Sequence, residues 1–108
     1  MKKTTTYIVT GIAWFLRDQW TELKSVVSDP EELEATYDEW ETVIRDSVPD
    51  LIDRGVSLVK VPVDVNDLVS WCRKRRKSID ADARAQYVAE LLQQRGASSF
   101  TSITIDSL

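Results

Sequence analysis

The clearest alternation of apolar and polar positions runs from Val56 to Val63. Val59, Val61 and Val63 share one side of an extended chain, and Leu58, Lys60 and Pro62 share the other. This pattern predicts a strand buried on its valine side. Lys60 marks the second side as only partly covered. Pro62, which cannot donate to a sheet ladder, places the strand's end near or at an edge. Thr4 to Trp14 is rich in Thr, Tyr, Ile and Val, which suit a pleated, half-buried surface. It predicts a first strand over about residues 5–13, with Gly11 at a bend or bulge.

Helical spacing accounts for most of the remainder. Leu16, Trp20, Leu23 and Val27 recur at intervals of four, three and four, forming one face of a helix that ends near Ser28. Asp29-Pro30-Glu31-Glu32 reads as a helix start, with Asp29 as cap, Pro30 in the first turn and Glu32 placed for a capping box. Leu33, Tyr37, Trp40 and Ile44 carry that helix's apolar stripe, continued by Val48 and Leu51. Pro49 predicts a kink, or a fresh start capped by Ser47, because its ring disfavours helical geometry at Val48 and removes a donor. Gly55 then serves as a left-handed terminal residue.

Beyond the central strand, Asp64 caps a helix with Asp67 in the reciprocal position, and Val65, Leu68, Val69 and Cys72 face inward. A last helix opens at Ile79-Asp80. In it Ala85, Val88, Ala89 and Leu92 share a face flanked by Tyr87 and Leu91, and Gly96 ends it. Phe100 to Ile105 alternates and predicts a third strand or an arm that pairs with a partner.

The expected architecture is α+β, with four helices packed on a small two- or three-stranded sheet in the order β-α-α-β-α-α(-β). The chain reads as a single domain over residues 1–108, with about 1–4 and 97–108 as flexible ends or an arm. Strands joined through helices are parallel where they are neighbours. So small a sheet leaves edges and part of a face uncovered, which leads us to expect a homodimer or another protein partner.

Composition narrows the chemistry. With 43% hydrophobic and 30% charged residues the chain is an ordinary globular one. It has no histidine and one cysteine, which excludes an internal disulfide, a His/Cys zinc site and a Ser/His or Cys/His nucleophile pair within the chain. No catalytic constellation and no cofactor site is visible, so a non-enzymatic role is expected. Met1-Lys2-Lys3 followed by Tyr7 to Leu16 has the outline of a leader. Thr10 and Gly11 interrupt it and Arg17-Asp18 follow at once, so a cytoplasmic protein without membrane contact is expected.

Trp14-Phe15, Trp20, Asp29, Tyr37-Asp38-Glu39-Trp40, Gly55, Val59 to Val61, Trp71-Cys72 and Ala83-Arg84 form a pattern that resembles a family of small bacterial proteins of unassigned function. The resemblance covers about residues 11–90 and departs at Pro49 and in the basic run after Cys72. It implies the same fold and carries no activity.

The net charge of -4 conceals segregation. Residues 29–53 hold Asp29, Glu31, Glu32, Glu34, Asp38, Glu39, Glu41, Asp46, Asp50 and Asp53 against Arg45 alone. Arg73-Lys74-Arg75-Arg76-Lys77 is the opposing basic run and the candidate anion or nucleic-acid contact. At ~100° per residue these charges spread around a helix, with Arg76 on the apolar face, and they sit where cations meet the carbonyl end of the dipole. Trp71, Glu31, Glu34, Asp38 and Glu41 are the candidate partner contacts. Cys72 reads as a buried thiol, and three of the four tryptophans read as core. A protein-interaction or regulatory module is therefore the leading expectation, with a nucleic-acid-binding accessory protein as the alternative. Were the basic run a phosphate contact, Arg73→Glu, Lys74→Glu and Arg75→Glu together would flatten the dependence of affinity on salt. A titration showing no binding at low salt removes that alternative.

Overall fold

The computed structural model describes residues 8–107. The expected beginning of the first strand and the leader-like Met1 to Tyr7 lie outside the described residues. The elements are β1 (Ile8–Phe15), α1 (Trp20–Val26), α2 (Tyr37–Asp53), β2 (Val56–Val63), α3 (Val65–Lys74), α4 (Ala81–Arg95) and β3 (Thr101–Ile103), with short 3-10 turns between some of them. The fold is α+β, with four helices and a mixed three-stranded sheet. The strand order is β1-β2-β3. β1 runs parallel to β2 along its whole length, and β3 lies antiparallel to Leu58–Lys60.

Both faces of β2 are used, by different partners. Val59, Val61 and Val63 join Leu23 of α1, Leu68 and Cys72 of α3, and Ala83 and Val88 of α4 in the main core. Leu58 belongs to a second cluster with Val48 of α2 and Ile103 of β3. Lys60, which the sequence places on the less covered face, lays its ammonium 4.2 Å from the centre of the Trp14 ring. Its stem stays on apolar surface while the charge meets an aromatic face.

Several boundaries differ from the sequence reading, each for a local reason. β1 extends to Phe15, two residues further than expected, because Trp14 and Phe15 continue the register opposite Pro62 and Val63. A 3-10 turn at Arg17–Gln19 shifts the helical phase before α1, so Leu16 leaves the expected stripe and stands 44% exposed. Asp29 does not cap a helix. A 3-10 turn covers Pro30–Glu32, and α2 begins at Tyr37, where the Thr36 hydroxyl accepts from the Glu39 amide at 3.1 Å. The Asp29 carboxylate instead accepts from Arg84 at 2.7 and 3.2 Å and from the Ala81 amide at 2.9 Å. A forked, charge-assisted pair outcompetes a single cap bond.

Pro49 neither breaks nor restarts α2, which runs unbroken to Asp53. Ile44 and Val48 before it, and Leu51 and Ile52 after it, are anchored on the same cluster, and that packing offsets the lost bond. β2 is the central strand, but its end lies at an edge, as Pro62 predicts. Pro62 is tolerated there because β3 pairs only as far as Lys60, which leaves the outer side of β2 free beyond that point. In α3 the Asp64 carboxylate caps the Asp67 amide at 3.1 Å as expected, and Gln19 reinforces the same turn by accepting from the Val65 amide at 3.0 Å. Gly55 and Gly96 end α2 and α4 with φ of 85° and 80°.

Gly11 is where α4 meets the sheet. A side-chain carbon there would stand 2.8 Å from Val88 Cγ1 and 2.9 Å from Val61 Cγ2. The helix rests directly on the strand backbone, and no bulge interrupts the pairing with β2 at this position. Gly11→Ala should therefore destabilise the fold by about 1–3 kcal/mol through overpacking. A urea midpoint equal to that of the unmodified protein would contradict this account of the α4 contact.

Candidate functional site

In the order β1-β2-β3, β1 has β2 on one side and, among the described residues, no strand on the other. Its sequence, Ile-Val-Thr-Gly-Ile-Ala-Trp-Phe, contains no charge and no proline, the devices that usually protect an edge. Alternate residues of such an edge point their N–H and C=O groups outward without a strand partner.

The two ends of this edge are treated differently. At the C-terminal end, Tyr37 donates its hydroxyl to the Phe15 carbonyl at 3.0 Å. Trp40 packs against both Trp14 and Phe15, at ring separations of 5.4 and 5.6 Å. Side chains at successive strand positions point to opposite faces, so a ring that touches both must wrap around the edge. From Val9 to Ala13 no described residue provides such cover. Here the edge floors a groove of about 470 Å³, open to solvent and walled by Trp40 and Ile44 of α2 and by Arg84, Ala85, Val88, Ala89 and Leu92 of α4.

The walls differ in character. α4 offers a shelf of small residues: Ala85 and Ala89, expected to share the buried face, are exposed there beside the half-buried Leu92. Val88 of that face is buried as expected, and α4 turns Ala83 and Tyr87 inward with it, because Gly11 brings the Val88 side of the helix down onto the strand. On α2, Val43 is 45% exposed and forms one stripe with Glu39, Asp46 and Asp50 at helical spacing. This stripe borders Trp40 and Ile44 on the side away from Ile52, which faces the β3 end of the sheet. Asp50 pairs with Arg54 at 3.2 Å, whereas among the described residues Glu39 and Asp46 enter no ion pair. The α2 wall is thus apolar at its base and acidic at its rim.

The residues singled out in the sequence lie elsewhere. All five residues of the basic run are exposed, and two of them are engaged within the fold. α3 ends at Lys74, and Arg76 turns into the left-handed region at φ 54°, so it is exposed and does not fall on the apolar face. Arg75 is held by Glu90 at 2.8 Å and stacks 4.3 Å above Trp71. Lys77 donates to Gln86. Trp71 is half-buried, with its ring 5.5 Å from Tyr87. Among the acidic candidates, Asp38 pairs with Arg17 at 2.7 Å and Glu41 with Arg45 at 3.2 Å. Glu34 accepts from Lys24 through its backbone carbonyl, and Glu31 is exposed in the 3-10 turn. The structure brings none of these together with the β1 groove. The groove's own residues carried only a faint sequence signal, namely the uncharged first strand and the alanines at helical spacing.

Burial pushes the Cys72 thiol up, which favours the neutral, inert form. Among the described residues no three of Cys, Asp and Glu gather as metal ligands. Comparison with family models, with curated proteins and with solved structures finds no match for this chain.

At the groove's α4 wall, the Arg84–Asp29 pair ties the α1–α2 connection to the start of α4. With side chains only 10% and 15% exposed, it is shielded far better than the Arg17–Asp38 pair. The Arg84 guanidinium holds the Asp29 carboxyl below the usual carboxylate range. A depressed folded-state pKa contributes stability above the unfolded value, near pH 4, which is lost as pH falls through the folded value. Asp29→Asn should therefore cost about 2–3 kcal/mol at pH 7, by stranding Arg84. Denaturant unfolding should show the deficit relative to the unmodified protein shrinking progressively below about pH 4. A deficit unchanged at pH 2–3 would sink the assignment.

Proposed function

We propose that this protein is a non-enzymatic protein-interaction module and that the groove over β1 is its binding surface. The carrying observation is the open, apolar, uncharged stretch Val9–Ala13 at the floor of a groove between two helices. Contiguous apolar surface beside an unpaired strand edge is what association sites present and what isolated soluble domains avoid. The segregated charge supports the same reading, because an acidic rim selects partners by sign and speeds encounter without fixing a catalytic group. Among the described residues no helix is long and apolar enough to cross a membrane. The basic run supports a nucleic-acid reading less well, since Arg75 and Lys77 are engaged within the fold.

The test is to fill the groove without touching the core. Ala85→Arg and Ala89→Arg change exposed helix positions and should alter stability by less than about 0.5 kcal/mol. Immobilised protein should retain a set of partners from cell lysate that the doubly substituted protein loses. A control carrying Arg73→Glu and Lys74→Glu should keep them. Recovery of the same proteins by all three would refute the groove as the binding surface.

A further inference from the structure

The geometry points to the mode of binding and the chemistry of the partner. We propose that an extended segment of another protein adds to Val9–Ala13 as a fourth strand, carrying apolar residues at alternate positions and Lys or Arg between them. This rests on the reading of the groove as an interaction surface.

Three observations fix the terms. The floor of the groove is a strand edge, so the occupant that satisfies its outward backbone groups is another strand; a helix laid in the groove would leave them unpaired. The edge is closed at one end by Tyr37 on the Phe15 carbonyl and by Trp40 around the strand, so the added strand stops short of Trp14. A short segment of about five residues therefore fits, spanning roughly 16 Å.

Side chains of an added strand alternate between the faces of the sheet. Those on the α4 side meet the shelf of Ala85, Ala89 and Leu92, which has room for apolar groups and no charge to meet a cation. Those on the α2 side meet Trp40 and Ile44; helical spacing puts Glu39, Val43 and Asp46 on the adjoining stripe of α2, exposed, with neither carboxylate in an ion pair among the described residues. The pattern required is apolar, basic, apolar, basic, apolar.

Charge also decides against a second copy of this chain as the occupant. Two β1 edges pairing about a twofold axis normal to the sheet would keep equivalent faces together. Both α2 rims, each with Glu39 and Asp46, would then lie on the same face of the joined sheet. β1 itself carries no lysine or arginine to answer them.

A random ten-residue peptide display library selected on the full chain tests this, with the Ala85→Arg/Ala89→Arg protein used for counter-selection. Enriched peptides should alternate apolar residues with period two and carry an excess of Lys and Arg. The best one, made synthetically, should slow hydrogen exchange of amides in residues 9–13. It should lose about tenfold in affinity when its Lys and Arg become Glu, and it should fail to bind when its edge amides are N-methylated. Enrichment of a helical spacing, with the Trp40 environment changed and the β1 amides unprotected, overturns strand addition and leaves the groove as an interaction surface. Self-association that protects the same amides without peptide makes a second copy the occupant and overturns the proposed partner. A monomer that enriches nothing overturns both the strand addition and the groove reading.

Discussion

Parallel strands cannot be joined by a tight turn, so the pairing of Ile8–Phe15 with Val56–Val63 commits everything between them to a crossover. That crossover supplies α1 and α2, and these do different work. α1 contributes Trp20 and Leu23 to the main core, whereas α2 reaches from Trp40 at the edge of β1 to Val48 over Leu58. α3 and α4, arriving after β2, complete the main core on the valine side. Gly11 then brings α4 onto the backbone of β1. Each step narrows the next, and the space left between α2 and α4 is the groove.

The aromatic residues concentrate at one point of this arrangement. Trp14, Phe15, Trp20, Tyr37 and Trp40 contact one another mostly edge to face, at separations between 5.1 and 6.0 Å. Such packing favours the quadrupole of each ring and secures the C-terminal end of β1. Firm closure of one end and an open remainder meet at Trp40, which packs against Phe15 and also walls the groove. Stability and the proposed binding surface therefore share Trp40, while Ala85 and Ala89 can be changed apart from the core.

The ionic groups divide in the same way. Asp29 and Arg84 are shielded and hold two segments together, and Arg75 is drawn onto Trp71 and Glu90. Among the described residues, the acidic rim of α2 has no such ion pair at Glu39 and Asp46. Surface pairs such as Arg17–Asp38 contribute little to stability. In the proposed reading, what the charged residues determine most strongly is which surface is left for a partner.

Local pattern sufficed for the core of the fold. The alternation of Val59, Val61 and Val63, the cap at Asp64, the stops at Gly55 and Gly96, and the α+β order all follow from periods of two and 3.6 residues and from backbone preferences that act within a few positions. Other features depend on residues far apart in the chain. Asp29 looks like a cap until Arg84 offers a stronger partner, and Pro49 looks like a break until the flanking apolar residues are anchored. The groove is of the same kind. Its floor, shelf and rim come from β1, α4 and α2, and no local period records that these meet, because exposure of Ala85 and Val9 is decided by where the neighbouring elements stop.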